Sequence, residues 1–162
     1  MDGVQFRPAR PADARTVLDI KRAAIDGIDD ALYSDRQLSA WQPDETATDD
    51  FRRAIGSDTF EVLIAELDGT AAGYGVLNTD HDRIDAVFVD PGHAGRGIAS
   101  SLVRQFESRA RMRAAPELTI VSSLNAKSFY ESLGYWDFGR KTRTIDGVDI
   151  EFAIMRKIFD PT

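Results

Sequence analysis

The chain predicts an α+β fold, a mainly antiparallel sheet flanked by helices with one βαβ unit at its centre. Three observations predict it. Apolar residues recur at helical spacing through the first third of the chain. Strand-like runs then alternate with Asp-Gly pairs, the dipeptide of tight hairpin turns. Between the hairpins, the apolar run Val87-Phe88-Val89 enters a glycine-rich turn that opens onto an amphipathic helix.

Val4 to Phe6 alternates around Gln5 and reads as a first strand. Pro11 sits at a helix start, where its missing N–H costs nothing. Val17, Leu18, Ile20, Ala24, Ile25 and Ile28 form an apolar stripe, and Gly27 marks the helix end. Ser34 and Gln37 form a capping-box pattern opening a short helix that runs through Trp41 and is stopped by Pro43. A third helical stretch covers Thr46 to Ile55. Strands follow at Phe60 to Leu67, Thr70 to Leu77 and Ile84 to Val89, the first two joined by Asp68-Gly69. The helix from Ile98 to Ala114 stacks Ile98, Leu102, Phe106 and Ala110 on one stripe. Leu118 to Val121 is a short buried strand, and Ala126 to Leu133 a helix ended by Gly134. Tyr135 to Thr144 and Val148 to Lys157 make a last hairpin around Asp146-Gly147.

The 162 residues are read as one domain spanning 1–162. No cysteine is present, which excludes disulfides, thiolate-held metals and a cysteine acyl-enzyme. The only histidines are His81 and His93, too few for a histidine metal site, so no metal is expected. A net charge of −7 argues against nucleic-acid or anionic-membrane partners. No apolar run reaches transmembrane length and the first residues carry no signal-like stretch, so a cytoplasmic protein is expected.

The segment Val87 to Ala99 is the most informative. A strand–turn–helix junction of this kind presents backbone N–H groups at the positive end of a helix dipole, suited to a phosphate or pyrophosphate. Gly95 and Gly97 keep side chains away from such a ligand. No lysine follows Gly97, which rejects a Walker loop. Gly95-x-Gly97-x-x-Ser100 matches a dinucleotide fingerprint only in part and lies too deep in the chain. Coenzyme A, whose pyrophosphate needs the same cradle, is the third ligand. An ordinary glycine-rich turn explains the loop alone equally well.

A second motif alters that balance. Val89-Asp90-Pro91 followed by Ala94-Gly95-Arg96-Gly97-Ile98-Ala99, and then Asn125-Ala126, Phe129-Tyr130 and Gly134-Tyr135, resembles the paired motifs of the GNAT superfamily of acyl-CoA-dependent N-acetyltransferases. The resemblance extends over the whole chain. Arg7-Pro8-Ala9 with Asp13 looks like the family opening, and Tyr33-Ser34 with Gln37 and Ala40-Trp41 resembles a bacterial subgroup. It implies a GNAT-type fold and acetyl-CoA as cosubstrate. One departure stands out: Ala94 occupies a position that in the family is usually Gln or Arg. The cradle works through backbone N–H groups of Ala94 to Ala99, so binding is expected to persist, with Arg96 adding a charge nearby.

Site roles follow by resemblance. The Phe88 and Val89 backbone lies along the pantetheine arm, and an N–H near Val89 polarises the thioester carbonyl. Tyr130 matches the general acid that protonates the departing thiolate. Phe129 is counted by resemblance among the cofactor-contacting residues and is also expected to be the better core residue of that helix, leaving Tyr130 to face elsewhere. Asn125 either bonds the cofactor or caps the helix. Strand alternation puts Ile84, Ala86 and Phe88 on one face and Asp85, Val87 and Val89 on the other. A carboxylate among apolar neighbours makes Asp85 the first choice of general base, with His81 second and a water chain third.

The acceptor is expected to be a small-molecule amine or a peptide N-terminus, held near Tyr33 and Trp41. The acidic run Asp44, Glu45, Asp49 and Asp50 suggests a cationic one. With no cysteine to carry the acetyl group, transfer is expected to be direct, within a ternary complex. The rival class is a non-catalytic CoA-binding or regulatory module of the same fold. The last hairpin offers edges through which a homodimer can form.

Overall fold

The computed structural model describes residues 3–29 and 31–159. Strand β1 (Val4–Pro8) leads through a 3₁₀ turn, Pro11–Asp13, into α1 (Ala14–Asp26), α2 (Asp35–Trp41) and α3 (Ala47–Ile55). Next come β2 (Phe60–Leu67), β3 (Thr70–Asn78) and β4 (Arg83–Val89), then α4 (Ile98–Met112) and β5 (Glu117–Ser123). After α5 (Lys127–Ser132), β6 (Trp136–Ile145) and β7 (Val148–Ile158) close the fold. The sheet has seven strands in the order β1-β2-β3-β4-β5-β7-β6. Every neighbouring pair is antiparallel except β4 and β5, which α4 joins as the expected βαβ unit.

Local chemistry explains the joints. Gln37 N donates to Ser34 Oγ at 3.1 Å and Ser34 N to Gln37 Oε1 at 2.9 Å, completing the capping box of α2. Gly27 caps the C-terminus of α1. Asp68 and Gly69, and again Asp146 and Gly147, all have positive φ, the backbone of a type I′ hairpin turn.

The sheet is covered on both faces. One face packs α4 and α5 through Leu102, Phe106 and Tyr130 onto Leu63, Leu77 and Ile84. The other packs α1 and α3 through Val17, Ile20 and Phe51 onto Ile64, Tyr74, Ala86 and Phe88. Gly75 lets α4 approach closely, since a Cβ there would lie 2.5 Å from Phe106 Cε2.

This division corrects the simple alternation expected for β4. Leu77 pairs with Ile84 and Val76 with Ala86, so Asp85 is an extra residue, a β-bulge. Ile84 joins the α4 face while Ala86 and Phe88 join the α1 face. The bulge falls where β4 stops pairing with β5. The two strands pair only at Arg83↔Thr119 and Ile84↔Ile120, then diverge.

Candidate active site

The divergence opens the sheet at its centre. Asp90 N donates to Ala72 O at 2.8 Å, toward β3. Ladder bonds alternate along a strand, so the N–H groups of Val87 and Val89 point the other way, into the gap toward β5. A cleft occupies this gap, lined by Asp85 to Phe88 of β4, Val121 to Ser123 of β5, and Trp41, Phe152 and Tyr130.

Tyr130 reaches the cleft from α5. It is 4% exposed and belongs to the core, whereas Phe129 is only partly buried. That reverses the expected division of labour between the two rings. Both are used, on different sides: Phe129 lines the glycine-loop hollow and Tyr130 the strand cleft. Burial alone pushes the Tyr130 phenol well above its ordinary pKa, so it stays protonated and able to donate.

The glycine-loop hollow is lined by Val89, His93 to Gly95, Gly97 to Ser100, and Phe129. Gly95 and Gly97 have φ of +80° and +75°, which answers why glycine is needed: the loop is left-handed at both. A Cβ would meet nothing within 4 Å of Gly95, so conformation and open approach, not crowding, select it. The first backbone bond of α4 is Ser101 N to Gly97 O at 3.0 Å. The amides of Ile98, Ala99 and Ser100 therefore have no partner within the helix and face a would-be anion. His93 Nδ1 is buried beside them with no partner among the described residues. A polar orphan at this place fits a bound polar ligand. Ala94 lines the hollow, so its short side chain leaves the cradle formed, while Arg96 is exposed and outside the lining.

The glycine-loop hollow and the strand cleft lie against successive residues of β4 and of α5, Val89 and Phe88, Phe129 and Tyr130, and comparisons with known proteins show which family has this fold. Residues 29–159 match the family model "Acetyltransferase (GNAT) domain". The chain belongs to the GNAT acetyltransferase family. It is 29% identical over 136 residues to the uncharacterized N-acetyltransferase YafP of Escherichia coli strain K12, covering 83% of each chain. A GCN5-related N-acetyltransferase from Rhodopseudomonas palustris superposes with a TM-score of 0.88 at 31% identity, covering 98% of both chains. PaiA N-acetyltransferase from Thermoplasma acidophilum, solved in complex with coenzyme A, has the same fold, with a TM-score of 0.76 at 18% identity over 96% of this chain and 99% of that one. The chain is an N-acetyltransferase of the GNAT fold, and the dinucleotide reading falls away.

The structure brings only some of the remaining expected residues to the cleft. Asp85 lines the cleft, but its Oδ1 accepts from Arg83 Nε at 2.5 Å and its Oδ2 from Arg83 at 3.4 Å. It is an oriented, ion-paired carboxylate. His81 is exposed in the β3–β4 turn and outside the cleft lining. Trp41 lines the cleft, its ring 5.3 Å from Phe152 and 6.1 Å from Phe88. Tyr33 does not line the cleft. It is 2% exposed, and its hydroxyl donates to Glu151 O at 2.6 Å and accepts from Leu124 N at 3.0 Å. It joins β7 to the turn before α5, a structural role. Asn125 is exposed and does not cap α5, whose N-cap is Ala126.

The acidic run also faces elsewhere. Glu45 pairs with Arg15 and Arg22, Asp49 with Arg52, and Asp50 with Arg53, all on the outer surface. In its place the cleft holds two cations that sequence reasoning missed, Lys21 and Arg143. The single signal for Lys21 was a lysine next to the apolar residues of the first helix. Arg143 sits on an exposed strand with no distinguishing pattern. Burial, with a contribution from Arg143, lowers the Lys21 pKa to about 8.

Proposed function

We propose that the protein transfers the acetyl group of acetyl-CoA directly to a primary amine, in a ternary complex of enzyme, acetyl-CoA and acceptor. The observation that carries this reading is that neighbouring residues line the cradle and the cleft. Val89 and Phe129 line one, and their chain neighbours Phe88 and Tyr130 line the other. A ligand anchored by its pyrophosphate on the α4 amides can thread its arm past Val89 into the strand gap.

Within that gap the chain supplies three functions. The N–H groups of Val87 and Val89 donate to the thioester carbonyl and stabilise charge that develops on its oxygen. Anchoring both reactants supplies the alignment that a dilute encounter lacks. Tyr130 gives its proton to the departing sulfur as general acid. The amine must lose a proton. Asp85, held by Arg83, is the carboxylate in reach of the cleft and is our choice as its acceptor. No cysteine exists to carry the acetyl group, so both reactants are bound together.

The test is Tyr130→Phe, which keeps the ring packing against Phe129 and Tyr135. Proton donation by a positioned group contributes about 10²–10⁴-fold, so kcat is expected to fall by about 100-fold or more with acetyl-CoA affinity retained. Initial-rate patterns for wild type intersect. Unchanged kcat in the variant contradicts the role of Tyr130, and parallel double-reciprocal lines contradict direct transfer.

A further inference from the structure

Charge is unevenly distributed on this molecule. The chain carries −7 overall, yet the cleft presents Lys21 and Arg143, neither in an ion pair with a described residue. Asp85 is the one carboxylate in the lining, and Arg83 already binds it. Aromatic faces hold both free cations in place. Lys21 Nζ lies 5.9 Å from the Phe51 ring centre and 5.7 Å from that of Phe88, and the Arg143 guanidinium 5.4 Å from that of Phe152. Such faces position a cation without neutralising it.

Two like charges from separate elements, α1 and β6, therefore line one cleft. Their mutual repulsion is felt, since Arg143 adds to burial in lowering the Lys21 pKa. Gathering them costs free energy that an arriving anion would recover. The cofactor's pyrophosphate has its own cradle on the other side of β4, at the α4 amides, and does not need them.

Resting on the reading of this cleft as the acceptor site, we infer that the acceptor is a free amino acid or a close analogue, its carboxylate seated on Lys21 and Arg143 while its amine enters the strand gap. A guanidinium fork matches a carboxylate in two parallel bonds, and the lysine ammonium adds a point charge. Trp41 and Phe152 supply an apolar wall for the side chain. This reverses the cationic acceptor expected from the acidic run, and it disfavours peptide N-termini, whose first carbonyl is an uncharged amide.

The experiment uses full-length protein saturated with coenzyme A and titrates it calorimetrically with a panel of N-acetyl amino acids and their uncharged amides. The amides stand in for peptide N-termini. In parallel, thiol release from acetyl-CoA is followed with the free amino acids and their amides. The inference predicts that at least one N-acetyl amino acid binds about 10- to 100-fold more tightly than its amide. Arg143→Gln erases that preference, mainly through KM in the rate assay, and Arg143→Glu inverts it toward amides. Three results overturn it: acids and amides binding equally, no acid binding at millimolar concentration, or a loss of acetyl-CoA affinity in Arg143→Gln, which would assign the cation to the cofactor. Failure of acetyl-CoA to bind wild type would instead overturn the function on which the inference rests.

Discussion

Lys21 is where burial and charge oppose each other most directly. Its pKa falls from 10.5 to about 8 because the folded state strips water from the ammonium. Below about 8 the group is charged in both folded and unfolded chains, and the folded state bears the full penalty. Between about 8 and 10.5 the unfolded chain keeps the proton that the folded chain has released, so stability rises with pH across that window. Lys21→Met removes the penalty. Its Tm at pH 7 is expected to exceed wild type, by about 2–4 °C for each kcal/mol relieved. The margin should shrink from pH 8 upward and close above 10.5. Thermal unfolding at pH 7 and at the alkaline end checks it, and a lower Tm at pH 7 contradicts it. Single residues were unevenly legible in the sequence. Gly95 and Gly97 stood in a local pattern that reads as a phosphate cradle, and Tyr130 in a motif whose role only the family resemblance implies. Tyr33 stood in such a pattern too, but its hydroxyl turned out to serve the backbone of β7. Lys21 and Arg143 are brought together only by the packing of α1 against the sheet and the placement of β6, which no local pattern records.

At the scale of elements, the chain's opening is tied down by one polar cluster. Arg7 donates to both oxygens of Asp13, at 2.8 and 2.9 Å, and to Glu66 at 3.0 Å, joining β1, the 3₁₀ turn and β2. Arg7 is the main cause holding the Asp13 carboxyl at about 2, below its ordinary 3.8. A depressed carboxylate contributes stability above its unfolded pKa and loses it as pH falls through the folded one. Asp13→Asn is therefore expected to lose about 1–2 kcal/mol at pH 7, with the gap to wild type closing as pH falls from 3.8 toward 2. Urea unfolding at several pH values measures this, and a pH-independent gap would count against it. The order of elements was legible because helical spacing, Asp-Gly turns and caps are local signals, and the hairpins fell within a residue or two of expectation. The bulge at Asp85 was not. Inserting one residue into a strand changes which face every later side chain takes, and nothing in Arg83 to Val89 marks where the extra residue falls. The pairing of β4 with β5 ends next to that bulge, so the feature hardest to read lies where the cleft opens.

Across the whole molecule, the fold separates two binding tasks on either side of one strand end. On the proposed function, the α4 amides and left-handed glycines would hold the phosphate, while the gap between β4 and β5 would bring the reacting ends together. Among the described residues no helix is long and apolar enough to cross a membrane. The chain is net negative, yet the cleft is lined by Lys21 and Arg143 with Asp85 as its one carboxylate, so any preference for a carboxylate-bearing acceptor must come from these local cations and not from the overall field. All of this depends on one claim, that the cradle takes acetyl-CoA. Calorimetric titration with acetyl-CoA, beside NAD and a Gly97→Val variant, tests it most directly. The account predicts micromolar, one-to-one binding of acetyl-CoA, none of NAD, and a marked loss in the variant, because a β-branched residue resists φ near +75°. Absence of acetyl-CoA binding, or equal binding by Gly97→Val, would contradict it.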